Sequence, residues 1–249
     1  IIPTFIDGIN TISKIYPIKD SRLAYAEFSA WNIINSKHII GIDQSKYSIL
    51  IIQEDIFSNK LDVDNIEKYL LQYADVVKQI HQKPIEYFGR LNWKYPHDCY
   101  SDYLLSRLKG LKISDERINK SAHLIKDYKS ILDSEDPYLC HMDPGPRNLI
   151  ISDKDRLFLI DFEHASGCSP IWDIERILFQ IPMKYHDRFL RLYGKEINQM
   201  VSAITRLVMV TCFACRLSND QGVQEICFDY VDNVLKSDKM TEYPRMVLM

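Results

Sequence analysis

The segment that most constrains the fold begins at Cys140 and reads CHMDPGPRNLIISDKDRLFLIDFEHA. Its two short apolar runs, NLII and LFLID, lie on either side of a polar stretch, which is the pattern of a β-hairpin. Because a hairpin brings its outer ends together, Asn148 at the start of the first strand and Asp161 at the end of the second should be neighbours. Asp143 lies on the loop that leads into the same place. The sequence therefore predicts that one amide and two carboxylates meet at the open end of a hairpin.

These three side chains suit metal-assisted transfer to a hydroxyl group. Mg²⁺ prefers oxygen ligands and typically binds one or two protein carboxylates together with substrate phosphates. Asn148 and Asp161 would supply an amide oxygen and a carboxylate of this kind. Asp143 is then free to accept the proton of a hydroxyl group. The segment thus suits a Mg²⁺ site with a separate carboxylate that can accept a proton.

A longer pattern runs through the same segment. His141, Asp143 and Asn148 form His-x-Asp-x-x-x-x-Asn, residues 161–163 read Asp-Phe-Glu, and Asp173 follows. This set resembles the protein-kinase-like fold, and more closely its aminoglycoside phosphotransferase and choline kinase branch. The resemblance implies an α+β, bilobal fold, with a small β-rich N-terminal lobe and a larger, mainly helical C-terminal lobe.

The resemblance also implies roles for these residues. Asp143 would be the catalytic base, while Asn148 and Asp161 would hold Mg²⁺ against the phosphates of ATP, with GTP as the alternative nucleotide. His141 would shape the catalytic loop, and Asp173 would brace it.

The family next requires a lysine for the nucleotide phosphates and a glutamate that holds it. Lys14 lies in the β-prone run ISKIY, where alternation places it on the same face as Ile12 and Tyr16. Glu27, in the helical stretch AYAEFSAW, fits the glutamate. Lys19 is the rival lysine but lies outside the strand, and an exposed hairpin lysine is the alternative interpretation of Lys14.

The apolar run YSILIIQ, followed by EDI, resembles the strand that leads into the hinge between the lobes. Backbone groups at Glu54, Asp55 and Ile56 would then bind the edge of adenine. This places the lobe boundary: residues 1–56 would form a partial nucleotide-binding lobe with the hinge, and residues 57–249 the helical lobe with the catalytic loop and substrate site.

Glycine is scarce in this chain, with 8 in 249 residues, and no two lie close enough to form a glycine-rich phosphate loop. Lys14 lies too near the start for the usual two strands to precede it. We therefore expect the phosphate flap to lie before Ile1, so that these residues would be less than a complete domain.

The last third of the chain bears on the acceptor. Acidic and basic residues balance over residues 166–249. Glu225, Asp229 and Asp232 follow i, i+4, i+7 spacing, so a helix would present them on one face. Beside the cleft they would suit a cationic acceptor, and a solvated helix face is the alternative. Glu163, two positions after the metal-binding aspartate, would also face the substrate.

The preferred function is an ATP-dependent O-phosphotransferase for small molecules, with an aminoglycoside-type antibiotic as the first choice of acceptor. A metabolic kinase for choline, a sugar or an amino-alcohol is the alternative. A third interpretation is a non-catalytic pseudokinase that only binds ligands. The joint presence of the lysine, its glutamate, the base and the two metal ligands argues against it.

Composition limits the class of protein further. Hydrophobic residues make up 46% and charged residues 26% of the chain, which excludes disordered, collagen-like and coiled-coil proteins. A net charge of −3 gives no basic field for nucleic acid, and we expect no membrane partner. Six cysteines are too few for a disulfide scaffold and indicate a reducing, cytoplasmic compartment. Cys212 and Cys215 are expected to pack on a helix face, with a redox or zinc role as the alternative.

Overall fold

The computed structural model describes residues 2–6, 9–34, 39–54, 58–61, 65–92, 94–217, 220–237 and 240–241. A small antiparallel sheet with one helix comes first, and a mostly helical part follows, which confirms the predicted α+β architecture. Within these ranges, no helix is both long enough and apolar enough to cross a membrane.

The N-terminal sheet has four antiparallel strands in the order β1-β2-β4-β3. Ile49 and Ile51 alternate along the fourth strand and are fully buried, in a cluster with Tyr16 and with Ala24 of the helix. The exposed Ile15 lies between inward-facing neighbours on the second strand, as period-2 alternation requires. The elements are β1 (Ile2–Ile6), β2 (Ile9–Pro17), α1 (Ser21–Ile33), β3 (Ile39–Gln44) and β4 (Ser48–Glu54).

Eight helices of the described chain make up most of the remainder. In the first of them Tyr69, Tyr73, Val77 and Ile80 are buried, as its apolar spacing predicts. Residues 116–132 form two helices and not one, because Tyr128 leaves helical geometry with φ −104° and ψ 20°. The helices are α2 (Ile66–Ile80), α3 (Tyr100–Lys109), α4 (Glu116–Asp127), α5 (Lys129–Leu132), α6 (Pro170–Leu178), α7 (His186–Tyr193), α8 (Gln199–Ala214) and α9 (Gln221–Lys236).

Two small three-stranded sheets are set among these helices, in the orders β5-β8-β9 and β6-β10-β7. The first contains the predicted hairpin. In the second, a Cβ on Gly167 would overlap the carbonyl oxygen of Tyr87, so only glycine allows this close approach of two chain segments. The strands are β5 (Ser58–Lys60), β6 (Gly89–Arg90), β7 (Tyr138–Cys140), β8 (Leu149–Ser152), β9 (Leu157–Leu159) and β10 (Ser166–Cys168).

The N-terminal sheet and the helical part meet at α1 and at the turn that follows β9. Trp31 of α1 packs edge-on against Phe162, with ring centroids 5.0 Å apart. Phe162 also lies against the His141 ring, at 4.6 Å. This packing holds strand β2, which carries Lys14, over the open end of the hairpin.

Candidate active site

The hairpin places Asn148 beside Asp161. β8 and β9 pair with Leu149 opposite Leu159, and the backbone N–H of Ile160 donates to the carbonyl oxygen of Asn148 at 2.9 Å. Asp161 itself has left-handed backbone geometry, with φ 69° and ψ 54°. Such geometry is uncommon for a residue other than glycine, and it tends to occur at functional sites. The two residues expected to hold a metal thus lie next to each other.

The loop before the hairpin is held by the buried carboxylate of Asp173. Its two oxygens accept hydrogen bonds from the backbone N–H groups of His141, at 2.7 Å, and Met142, at 2.8 Å. Nε2 of His81 lies 3.2 Å from the same carboxylate, and the other ring nitrogen lies 3.0 Å from the hydroxyl of Tyr193. Asp173 therefore braces the loop from below, and His81 supports it.

The ring of His141 fixes the loop from the other side. Its Nε2 donates to the carbonyl oxygen of Ile160 at 2.7 Å, and its Nδ1 accepts from the backbone N–H of Asp143 at 3.3 Å. A neutral imidazole satisfies both contacts at once. His141 thus joins the loop to the second hairpin strand, which agrees with the loop-shaping role implied by its position.

Asp143 lies at the centre of a polar cluster. Its carboxylate accepts from Nε of Arg176 at 3.0 Å, from Nε2 of Gln180 at 3.2 Å, and from the guanidinium of Arg147. Burial alone would raise the pKa of Asp143, but the charges of Arg176 and Arg147 outweigh burial and lower this pKa to about 2. The carboxylate is therefore ionised at neutral pH.

Asn148 is oriented by the same loop, because its Nδ2 donates to the carbonyl oxygen of Asp143 at 2.7 Å. With the nitrogen engaged, Oδ1 is the atom left to act as a ligand. One amide oxygen and the Asp161 carboxylate are the hard oxygen donors that Mg²⁺ prefers, so the residues present fit this metal.

Lys14 reaches the hairpin from β2. Its Nζ lies 2.7 Å from Oε1 of Glu27 and 3.0 Å from Oδ1 of Asp161. Glu27 is fully buried and also accepts hydrogen bonds from the hydroxyl of Tyr16 and, at 3.5 Å, from Nε1 of Trp31. Burial opposes the charge on Lys14, but the two carboxylates outweigh it and raise the pKa of the lysine.

The structure therefore brings together the lysine, its glutamate, the carboxylate expected to be the base and the two residues expected to hold a metal. Glu163 lies beside them, and burial and the neighbouring Asp161 raise the pKa of its carboxyl. Glu54 ends β4, where its backbone is paired with Thr11. Asp55 and Ile56, the rest of the expected hinge, lie outside the described residues.

The acidic stripe of helix α9, which consists of Glu225, Asp229 and Asp232, does not lie at the cleft. This position corrects the expectation that these residues face the acceptor. Helix α9 packs against α4 and α8, and Asp232 forms an ion pair with Arg117 of α4, at 3.0 Å. Glu225 and Asp229 are exposed. None of the three lines the cavity beside Asp143.

The feature that sequence reasoning missed is the charge of that cavity. It has a volume of about 250 Å³ and opens directly onto Asp143. Its described lining contains five arginines, which come from well-separated positions in the chain and form no motif. They are Arg90, Arg107, Arg147, Arg176 and Arg216.

Comparison with known proteins bears on the family. Residues 50–200 match the model of the phosphotransferase enzyme family, which is more than half of the chain. No curated protein sequence matches the chain.

Solved structures show the same fold at low sequence identity. Choline kinase LicA from Streptococcus pneumoniae is 16% identical, with 94% of this chain and 88% of that chain covered and a TM-score of 0.69. A thermostable mutant of aminoglycoside phosphotransferase APH(4)-Ia is 14% identical, with 94% and 91% covered and a TM-score of 0.69. A putative fructosamine-3-kinase from Haemophilus somnus 129PT is 16% identical, with 92% and 84% covered and a TM-score of 0.67. These likenesses show the fold.

Proposed function

The chain belongs to the phosphotransferase enzyme family, and on that premise we propose that it transfers the γ-phosphate of ATP to a hydroxyl group of a small molecule. One observation carries the proposal: Lys14 with its buried glutamate, the paired Asn148 and Asp161, and the ionised Asp143 converge on one cleft. In phosphoryl transfer, catalysis consists mainly of positioning and of charge stabilisation, and these groups supply both.

Nucleotide binding falls to the side of the cleft that faces the sheet. The buried ammonium group of Lys14, held by Glu27, is placed to contact the ATP phosphates. Asn148 Oδ1 and the Asp161 carboxylate are the groups that would hold Mg²⁺, which neutralises charge on the phosphates when bound. Solved relatives with this fold include LicA in complex with AMP and APH(4)-Ia in complex with AMP-PNP and hygromycin B. These complexes support ATP as the phosphate donor. The adenine site at Glu54, Asp55 and Ile56 stays a prediction.

The base has a more specific task. A hydroxyl group that hydrogen-bonds to Asp143 competes with three donors that already contact its carboxylate. Arg147 is the candidate to leave, because 67% of its side chain is exposed against 14% for Arg176. Arg176 then keeps the Asp143 carboxylate ionised and holds its orientation. The carboxylate in turn orients the hydroxyl group and accepts its proton.

The acceptor is a further proposal. The fold is shared by kinases named for choline, aminoglycosides and fructosamine. It therefore supports the aminoglycoside-type acceptor expected from the sequence no more than a metabolic alcohol. The charge of the cavity beside Asp143 discriminates between these classes.

The proposed function is tested by ADP release from Mg·ATP with a panel of aminoglycosides, choline, sugars and phosphorylated sugars. We expect one class to stimulate release, and Asp143→Asn to lower that turnover by about 10²–10⁴-fold, the usual contribution of a general base. Asp153→Asn, an exposed carboxylate in the hairpin turn, is the matched control. Undiminished transfer by Asp143→Asn would refute the role of the base. Absence of both transfer and Mg·ATP binding would favour a pseudokinase.

A further inference from the structure

The wall of the cavity beside Asp143 is strongly basic. Five arginines reach it from separate elements, namely strand β6, helix α3, the 3₁₀ turn at Pro146–Asn148, helix α6 and the turn that follows helix α8. Among the described residues of this lining, Asp143 is the single carboxylate. Trp172, Met209 and Phe213 also line the cavity and would contact a carbon skeleton.

Three of these arginines have no acidic partner among the residues that the structure describes. Arg147 and Arg176 share Asp143, whereas no carboxylate of the described chain lies within ion-pair distance of Arg90, Arg107 or Arg216. Elsewhere the chain does pair such side chains, as in the ion pair of Arg117 with Asp232. The three unpaired guanidinium groups therefore form a site of net positive charge next to the base.

Arg107 is the member of this group whose hydrogen bonding most favours a bound anion. Its Nε is buried, and no group in the described part of the chain accepts its hydrogen bond. Its guanidinium carbon lies 4.9 Å from the centroid of the Trp172 ring, which holds the side chain in place. A buried donor without an acceptor is destabilising, and an oxyanion bound there would supply the acceptor.

Arg90 and Arg107 lie close enough for their positive charges to oppose each other. Burial and the charge of Arg107 lower the pKa of Arg90. Burial and the charge of Arg90 lower the pKa of His164, whose Nδ1 lies 3.1 Å from the Arg90 guanidinium. An anion bound among these groups would relieve this repulsion.

The cavity also extends away from the base. A second space of about 410 Å³ is lined by the same Arg90, Arg107 and Arg216, together with Tyr95 and His97. The three arginines therefore stand between the base and a larger binding region.

We propose that the acceptor alcohol carries an oxyanion, a phosphate or a carboxylate, which Arg90, Arg107 and Arg216 bind while its hydroxyl group meets Asp143. Guanidinium groups match the planar, two-point geometry of such groups. This inference rests on the proposed function and names the substrate class of the same site. An aminoglycoside or choline would place positive charge against this wall.

We assign the ATP phosphates to other residues and not to these arginines. Lys14, Asn148 and Asp161, the groups assigned to nucleotide and metal, are absent from the described lining of the basic cavity. The oxyanion site thus lies on the acceptor side of Asp143.

Binding and transfer are measured separately, so that this inference and the proposed function can fail separately. Binding is followed by calorimetry with Mg·AMP-PNP saturating the nucleotide site, using glycerol 3-phosphate, glucose 6-phosphate and glycerate against glycerol and glucose. We expect the oxyanion member of a pair to bind at least about tenfold more tightly, since a charge-assisted hydrogen bond contributes about 1.5–3 kcal/mol. The phosphate and carboxylate probes distinguish the two oxyanion sources.

Variants locate the binding site. Arg107→Gln and the exposed Arg216→Gln should each weaken binding of the oxyanion by about tenfold or more, with the KM for ATP unchanged. Arg188→Gln, on the surface of α7, is the matched control and should change neither. Equal binding of neutral and anionic partners, tighter binding of kanamycin or choline, or unchanged binding by both variants would overturn the inference. Oxyanion binding without any ADP release would support the site and count against the proposed transfer.

Discussion

Lys14 and Asp161, which are 147 positions apart in the chain, lie 3.0 Å apart across the cleft. The same lysine contacts Glu27 at 2.7 Å, so one ammonium group joins the N-terminal sheet, helix α1 and the hairpin of the helical part. The contact brings the group expected to bind the nucleotide phosphates next to the carboxylate expected to bind the metal. Its disruption should therefore affect both stability and nucleotide binding.

Glu27→Gln tests that junction. The variant removes the negative charge that compensates the buried ammonium group, so we expect the free energy of unfolding to fall by about 1–3 kcal/mol. We also expect the KM for ATP to rise while the KM for the acceptor stays unchanged. Urea unfolding and ADP-release kinetics measure the two effects. Glu67→Gln, which breaks an exposed ion pair with Arg188, should change stability by less than about 1 kcal/mol. Equal effects of the two variants would contradict the assignment.

The depressed pKa of Asp143 makes a prediction about pH. The folded value is about 2 and the ordinary value is 3.8, so the ionised carboxylate stabilises the folded protein at pH values above 3.8. That contribution should be lost as pH falls from 3.8 through about 2. We expect the difference in unfolding free energy between the native chain and Asp143→Asn to be constant from pH 5 to 7 and to shrink below pH 4. A difference that already changes between pH 5 and 6 would place this pKa elsewhere.

Asp173→Ala tests the brace beneath the catalytic loop. The variant leaves the backbone N–H groups of His141 and Met142 without their acceptor in a fully buried position, each at a cost of about 1–3 kcal/mol. We expect a clear fall in unfolding free energy and a fall in kcat larger than any change in the KM for ATP, because the loop carries Asp143, the proposed base. Asp187→Ala, an exposed carboxylate at the start of α7, is the control. Normal kcat in a destabilised Asp173→Ala would limit Asp173 to a folding role.

The acidic stripe on α9 gives a prediction of no kinetic effect. Asp229→Asn removes an exposed charge away from the cleft, so the KM for the acceptor should not change. Asp232→Asn breaks the ion pair with Arg117, and it should lower stability by about 0.2–1 kcal/mol without a change in kinetics. Steady-state kinetics and urea unfolding of both variants are the measurement. A higher acceptor KM in Asp229→Asn would restore the stripe to the substrate site.

Much of the fold follows from local patterns in the sequence. The hairpin places Asn148 beside Asp161 because turn and strand signals lie close together in the chain. Helix α2 follows from its strong apolar spacing. The direction in which the Lys14 side chain points follows from the alternation of a single strand. These predictions need only short-range information, because the spacing of apolar residues and the position of a turn determine the local backbone geometry.

The parts that sequence missed depend on tertiary contacts. Spacing showed that Glu225, Asp229 and Asp232 share a helix face but not which neighbour that face meets. The basic cavity was missed for the same reason, since Arg90 and Arg216 belong to no common motif and become neighbours only in the folded chain. Strands as short as β6, with two residues, are too brief for any periodicity to appear.

The ion pair between Asp143 and Arg147 has a consequence for the hydrolysis of ATP in the absence of an acceptor. Water is always present in an open cleft, and any base able to activate an alcohol could in principle activate water as well. A carboxylate capped by two guanidinium groups, with a pKa near 2, is a weak acceptor for the proton of water. Displacement of Arg147 costs free energy, and the contacts of a larger alcohol offset that cost better than those of a single water molecule. We therefore expect ATP to survive in this cleft until a molecule with more than a hydroxyl group to offer has entered it.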